Sequence, residues 1–268
     1  MLIDKIGIDA GGSLVKLAYF EQGKLHTKTF SNQEMDNVVK WLSFLSPNAE
    51  LYVTGGKARA LNKLTSNNCH LVDEFQSVTT GTKYLLKEKG IVNKEFILVN
   101  IGTGTSIFHV TANSFERVLG SGIGGGTLMG LGYLITRKKD FQTFTQMSSK
   151  GDSRNSDLLV RDIYYPEEPP IDGDLTAANL GKAHLYSDAT EQDHLASVMQ
   201  LIGETILLLA SQVAARKKTS QIVFIGGTVT NNPVLKDVLN RFRDMMNYEP
   251  VFLDKGTHAG AIGALIEI

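Results

Sequence analysis

The stretch IGIDAGGSLVKLAY, residues 6–19, decides how the chain is read. Ile6 and Ile8 mark an apolar strand that closes on one acid, Asp9. Ala10 to Ser13 are small, and a second alternating strand follows, carrying Lys16. Two accounts fit these residues. Gly11 and Gly12 turn a hairpin, because glycine accepts positive φ without a Cβ penalty. Alternatively, the same turn also lets backbone amides close on a phosphate. A lone glycine motif does not choose between them.

The pattern then restarts. EFILVNIGTGTSIFHVT (95–111) is again an apolar strand, a small-residue turn and a second strand, and FERVLG (115–120) follows as a third. KLHTKTF (24–30) holds that third place in the first half. Periodicity predicts helices over 32–45, with Ser31 or Asn32 as cap, and over 76–90, 123–138, 192–218, 231–246 and the terminal 257–268. Buried strands are expected at 50–56, 221–227 and 250–254. The chain therefore reads as a duplication, residues 1–94 and 95–268, with an excursion at 150–181 that gathers Pro166, Pro169 and Pro170. Within it GDLTAANLG (173–181) is expected to start another helix.

Bulk properties narrow the partners. The 268 residues carry 27 basic and 28 acidic side chains, so no basic stripe calls for nucleic acid. One cysteine, Cys69, excludes an intrachain disulfide framework and a cysteine-built zinc site. The six histidines show no metal spacing. MLIDKIGIDAGG lacks the features of a signal peptide. LIGETILLLASQVAA (201–215) is read as too short to span a bilayer, and it contains Glu204. A soluble, cytoplasmic protein without membrane partners is the expectation.

Paired hairpins favour a nucleotide. VNIGTGTS (99–106) takes the place of the first hairpin when the halves are overlaid, and two such turns facing each other offer amides and hydroxyls to phosphate oxygens from both sides. Asp9 is placed to hold a water of a hydrated Mg²⁺, and Lys16 to add a point charge. The plainer alternative is that Asp9 caps its own turn and Lys16 is solvated. No G-x-x-x-x-G-K-[ST] occurs, and GSGIGG (120–125) lacks the downstream acid of a dinucleotide site, Asp140 lying at a polar helix end. The glycines at 124–126 are expected to bring a helix N-terminus to the nucleotide with its amides facing it. Transfer to an alcohol further needs a carboxylate to take the hydroxyl proton. HLVDEFQS (70–77) offers Asp73 and Glu74, which equally suit a helix N-terminus.

These segments resemble the actin, hexokinase and heat-shock-70 superfamily: IDAGGSLVK and VNIGTGTS resemble its two phosphate loops, FIGGTVTNN (224–232) its adenosine segment, and HAGAIGALI (258–266) the last helix of its second lobe. The implied fold is α/β, a duplicated actin-like (ribonuclease H-like) two-lobed ATPase with mixed sheets flanked by helices. Within that superfamily the chain resembles the type II pantothenate kinases, through IGIDAGGSLVK, VDEF, NIGTGTS, RVLGSGIGGGTLMGLGYL (117–134), EPPIDGDLTAANLG (168–181) and the terminal GAIGAL. The resemblance implies ATP-dependent phosphorylation of pantothenate, with Mg²⁺, by a homodimer. It implies Glu74 as general base and Arg117 as a substrate contact that neutralises charge. Asp9, Ala10, Gly11, Gly12, Ser13, Leu14, Val15, Lys16, Thr103, Gly104, Gly125, Gly126, Thr127, Leu128 and Met129 would line the ATP. Phe141 and Gly227 would lie on its adenine side. Thr176 and Ala177 would close the pantothenate pocket, and Phe242 would reach toward a partner's. Two positions depart from the family pattern: Gln76 stands where an Asp is common, and Gly227 where a relative has serine.

Two other functions share this fold. Many sugar kinases of the superfamily carry E-x-G-H and a zinc-binding cysteine cluster, both missing here. An acceptor-independent ATPase is the other; its iron–sulfur activators need cysteines beyond Cys69, and an actin-like filament protein would need no GDLTAANLG.

Overall fold

Apolar alternation builds the first sheet. Strands β1 (Lys5–Ala10), β2 (Leu14–Glu21), β3 (Lys24–Ser31), β4 (Glu50–Thr54) and β5 (Cys69–Leu71) lie in the order β3-β2-β1-β4-β5 in the computed structural model, which describes residues 3–91, 95–185 and 188–266. β1 runs antiparallel to β2, with Asp9 opposite Lys16, and parallel to β4. β6 (Glu95–Ile101), β7 (Thr105–Thr111) and β8 (Phe115–Ser121) open the second half. The short β9 (Leu158–Leu159) and β10 (Thr176–Ala178) pair apart, and β11 (Gln221–Ile225) and β12 (Glu249–Phe252) complete a sheet of order β12-β11-β6-β7-β8. Each sheet thus has a three-strand antiparallel meander with two further strands added in parallel beside its first strand. The duplication expected from the sequence is a duplication of topology. The boundary proposed at 94/95 falls beside residues 92–94, which lie outside the described residues.

The helices are α1 (Met35–Leu45), α2 (Ala58–Leu64), α3 (Glu74–Glu88), α4 (Gly125–Thr136), α5 (Phe141–Ser148), α6 (Val160–Tyr164), α7 (Glu191–Lys217), α8 (Pro233–Arg241), α9 (Arg243–Met246) and α10 (Ala259–Ile266). Ser31 caps the turn before α1, in a capping box with Glu34. The predicted helix over 231–246 breaks at Phe242 into α8 and α9. GDLTAANLG forms β10 and turns instead of a helix, because its polar side chains bind to α7 rather than continuing a helical period. α2 was not foreseen.

α7 corrects the argument from shortness. At 27 residues it is long and apolar enough to cross a membrane by length and composition. Its apolar face is instead inside the protein: Leu195, Val198, Met199, Ile202, Ile206, Leu207 and Ala210 are fully buried in one core with Ile97, Val99, Ile222 and Phe224 of the second sheet.

Two helices cross between the sheets. α10, the end of the chain, packs on α3 and on β1 of the first sheet, and Val78, Leu85 and Leu86 of α3 share a core with Phe96, Leu98, Phe108 and Val110 of the second. The contact is backbone to backbone. A Cβ on Gly263 would stand 1.7 Å from the Ser77 carbonyl oxygen, and one on Gly81 would stand 1.9 Å from that of Ala259. The terminal helix expected to belong to the second lobe is therefore seated against the first sheet, and α3 delivers its N-terminus, with Glu74, to the seam.

Candidate active site

Both hairpin tips meet at that seam. Ser13 Oγ lies 3.3 Å from Thr103 Oγ1. The first tip is shaped by Gly11 N–H donating to the Leu14 carbonyl and by Asn32, whose side chain donates to Gly12 O at 2.7 Å. The second is held from behind: the Gly102 carbonyl accepts from Gly125 N–H and from Thr228 Oγ1, each at 2.8 Å, and the Thr103 carbonyl accepts from Gly126 N–H at 2.8 Å. The amides of Gly12, Ser13, Thr103 and Gly104 carry no hydrogen bond among the described residues. Four free N–H groups and two hydroxyls on converging turns make an anion cradle.

One acid and one base stand beneath it. Asp9 Oδ2 accepts from Lys16 Nζ at 3.2 Å, with both side chains largely buried. The carboxylate sits among glycines: a Cβ on Gly55 would come within 2.7 Å of Asp9 Oδ1, and one on Gly260 within 3.1 Å of Oδ2. Gly55 also has φ near +91°, so a side chain there would meet both strain and the carboxylate. The pairing across the hairpin supersedes both simple alternatives, a capping Asp9 and a solvated Lys16. His258 joins the group from the turn that precedes α10, with Thr29 Oγ1 2.9 Å from its Nε2. Burial, aided by the Lys16 charge, lowers its pKa to about 4, so the imidazole is neutral at neutral pH.

Glu74 and Arg117 arrive from different elements. Asp73 is the N-cap of α3, its Oδ1 accepting from Gln76 N–H at 2.8 Å. That assigns Asp73 the structural task and leaves Glu74 as the first helical residue, without a hydrogen bond or ion pair among the described residues. Glu74 is solvent-exposed as a residue, yet its carboxyl is raised above the usual range, first by desolvation and then by the charges of Asp9 and Asp73, with Lys16 opposing. Arg117 projects from β8, where Nε donates to Ser106 Oγ at 3.3 Å and the guanidinium lies 5.4 Å from the ring centre of Phe75, the residue after Glu74. Gly120 makes room for it, since a Cβ there would fall 2.1 Å from an Arg117 nitrogen. Gln76 reaches along the helix to Thr80 and makes no hydrogen bond to Glu74.

Some expected nucleotide contacts are placed differently. The amides of Gly125 and Gly126 do not face an open site; they hold the second hairpin, and Gly124 N–H is taken by Thr127 Oγ1. The glycines are needed for approach to protein: a Cβ on Gly125 would meet Thr228 Oγ1 at 2.5 Å. Leu128, Ala10 and Val15 are fully buried in cores, and Met129 and Phe141 pack partly buried against the second. Leu128 and Val15 therefore support the site and present no side chain to it. Gly227 does face the seam, within about 4 Å of Leu14 and Thr257 from its Cβ position. Phe242 is partly buried and packs against the core of the second sheet. Thr176 and Ala177 lie on the β9–β10 ribbon beside α7, and among the described residues no hydrogen bond or ion pair links them to Glu74, Arg117 or either hairpin. Sequence reasoning did not single out Gly55, Gly120, Thr228 or His258; the last three lie inside quoted motifs, and the double glycine that follows β4 is the signal for Gly55.

For Mg²⁺ the donor set is telling. No group of three or more His, Cys, Asp or Glu capable of holding a metal occurs among the described residues. A single carboxylate under an anion cradle fits an ion carried mainly by phosphate oxygens and water, with Asp9 on its hydration shell, and does not fit an all-protein cage.

Known proteins match this arrangement end to end. The profile of the Fumble family covers residues 5–267. The type II pantothenate kinase of Oceanobacillus iheyensis is 50% identical over 263 residues, 98% of this chain and 98% of that protein. That of Staphylococcus aureus strain USA300 is 39% identical over 97% of this chain and 98% of its own length. Among solved structures, component A of the Acidaminococcus fermentans (R)-2-hydroxyglutaryl-CoA dehydratase superposes with a TM-score of 0.64 at 14% identity, covering 100% of this chain and 97% of that one. A ROK family glucokinase from Streptomyces griseus, solved with glucose and AMPPNP, gives 0.56 at 12% identity, with 97% of each chain covered. These two show the shared actin-like fold. The sequence relatives show more: the chain belongs to the Fumble family, as a type II pantothenate kinase.

Proposed function

We propose that the protein phosphorylates pantothenate to 4′-phosphopantothenate with ATP, the entry step toward coenzyme A, and that Glu74 is its general base. The observation that carries this is the meeting of an anion cradle with an unpaired, raised-pKa carboxylate at the mouth of the seam. Family membership supplies the acceptor.

In this reading the free amides of Gly12, Ser13, Thr103 and Gly104 hold the phosphates, while Lys16 and Asp9 lie beneath them. Mg²⁺, bound through the nucleotide and water on Asp9, would neutralise charge on the transferring group. Glu74 accepts the hydroxyl proton; its carboxyl is free to do so because Asp73, not Glu74, caps the helix. Arg117, stacked on Phe75, stands where it offsets charge near the acceptor. Phosphoryl transfer asks mainly for this positioning and electrostatic support. Water kept from the seam by closure of the two halves would limit idle hydrolysis.

Among the described residues Thr176 and Ala177 share no hydrogen bond or ion pair with Glu74 of their own chain; in this reading they serve the acceptor pocket of a second protomer, in a cytoplasmic homodimer. The exposed Ile163, Tyr164, Tyr165 and Ile171 of the same excursion provide apolar surface for such an assembly. Sedimentation together with pantothenate kinetics tests this: activity confined to a dimer supports it, and a fully active monomer contradicts it.

A further inference from the structure

The excursion that carries Thr176 is pinned to α7 at two places. Glu204 is the only acid of α7 after its first turn. Three neutral donors converge on its half-buried carboxylate: Thr176 Oγ1 at 2.9 Å, Asn179 Nδ2 at 3.0 Å and Gln200 Nε2 at 2.7 Å. Gln200 in turn accepts from Arg241 at 3.1 Å. Two turns earlier on α7, Ser197 donates to Asp157 Oδ1, and Leu180 N–H donates to the same carboxylate oxygen at 2.8 Å. Asp157 is fully buried. The stretch 176–180 is thereby fixed at both ends, and Ala177 and Ala178 are left as its exposed crest.

Placement of a full carboxylate in the apolar helix of the core is unfavourable unless its lone pairs are satisfied. Here every donor but Gln200 comes from the excursion, so the carboxylate and the ribbon need each other. A second consequence concerns polarity. The Thr176 proton is committed to Glu204, so toward any ligand that hydroxyl has only acceptor capacity left. A negative charge lies directly behind it.

The geometry points to Glu204 as a positioning residue for the phosphoryl acceptor, one that fixes the 176–179 crest and turns Thr176 into an acceptor for a substrate N–H or O–H, not a donor to its carboxylate. This rests on the reading of Thr176 and Ala177 as acceptor-pocket residues. Charge-assisted hydrogen bonds of this kind govern affinity more than chemistry when they act through the binding surface.

The test is steady-state kinetics on the full chain with pantothenate and ATP, comparing wild type, Glu204→Gln, Asn179→Ala, their double variant and Ala177→Phe. Glu204→Gln and Asn179→Ala are each expected to raise the KM for pantothenate by about tenfold or more, with kcat and the KM for ATP within about twofold of wild type. The double variant should fall short of the product of the two, since both remove one shared contact. Asn179 lies on the ribbon outside the core, so its variant remains informative should Glu204→Gln fold poorly. If Ala177→Phe raises the pantothenate KM while Glu204→Gln and Asn179→Ala leave it unchanged, the inference fails and the pocket reading stands. If Ala177→Phe also leaves it unchanged, the pocket reading fails and takes the inference with it. Equal changes in both substrates' KM would show a purely structural role and overturn it as well.

Discussion

Ser13 and Thr103, ninety positions apart in the chain, bring their hydroxyl oxygens to within 3.3 Å of each other. Each sits on the tip of a β-hairpin at the same place in one of two sheets with the same strand order. Their neighbours' amides are free because the hairpins are braced from behind, by Asn32 on one side and by the start of α4 and Thr228 on the other. Ser13→Ala and Thr103→Val should each raise the KM for ATP by about tenfold, the scale of one hydrogen bond to a charged group. Leu128→Ala is the contrasting case. It should lower stability by roughly 2–5 kcal/mol, the range for large-to-small core changes, without a selective effect on ATP. Nucleotide titration beside thermal melts checks both.

The charge around Glu74 gives a signed pH prediction. Its carboxyl is raised by desolvation, then by Asp9 and Asp73, and lowered by Lys16. As a base it must be ionised, so the acid limb of kcat/KM lies at a higher pH than an ordinary glutamate would give. Asp73→Asn keeps the cap but removes a negative charge, and the limb should move to lower pH. Lys16→Met removes the opposing positive charge and should move it up. For stability the sign is the reverse of a salt-bridged acid: a raised folded-state pKa favours the native state at pH below the unfolded value, and that contribution is lost as pH rises through the folded pKa.

Arg117 can be displaced without touching it. The Cβ of Gly120→Ala would collide with the far end of the Arg117 side chain, which can swing away, while the strand itself need not move. Gly120→Ala should therefore melt within a few degrees of wild type and still lose activity in the same direction as Arg117→Ala. Normal activity in Gly120→Ala would show that the stack of Arg117 on Phe75 is dispensable.

The α3–α10 crossing is less forgiving. Gly263→Ala puts a methyl group against the Ser77 backbone, where no flexible side chain can yield. Overpacking of this kind costs roughly 1–3 kcal/mol, a fall in Tm of several degrees for a domain of this size. Because α3 carries Glu74, activity should decline along with stability, as a thermal melt and an assay on one preparation would show.

Much of this was legible in the sequence, for reasons that differ from part to part. The hairpins are local: alternation, a small-residue turn and alternation again specify both the strands and their register, and their recurrence exposes the duplication. Asp73 and Glu74 were equally eligible as helix-start acids, and only the bond from Gln76 N–H to Asp73 separates cap from free carboxylate. The amides of Gly125 and Gly126 depart from the expectation because a helix N-terminus beside a glycine run reads as a phosphate site, whereas here hairpin carbonyls 23 residues earlier take those amides. Leu128 came with the family motif, and a motif does not distinguish a wall of the site from the core behind it. Glu204 looked like a charge that breaks an apolar stretch; its partners at 176 and 179 are distant in sequence, and no local period announces them. The closing helix is similar: its small residues signal close packing, but not against which sheet.

The measurement that bears most directly on the assignment is an ATP-coupled assay with pantothenate, glucose, N-acetylglucosamine or no acceptor, run on wild type and Glu74→Gln with ATP binding followed in parallel. Turnover with pantothenate alone, lost in Glu74→Gln while ATP still binds, is the predicted result. Equal ATP consumption without an acceptor, faster turnover with a sugar, or full activity in Glu74→Gln would contradict it.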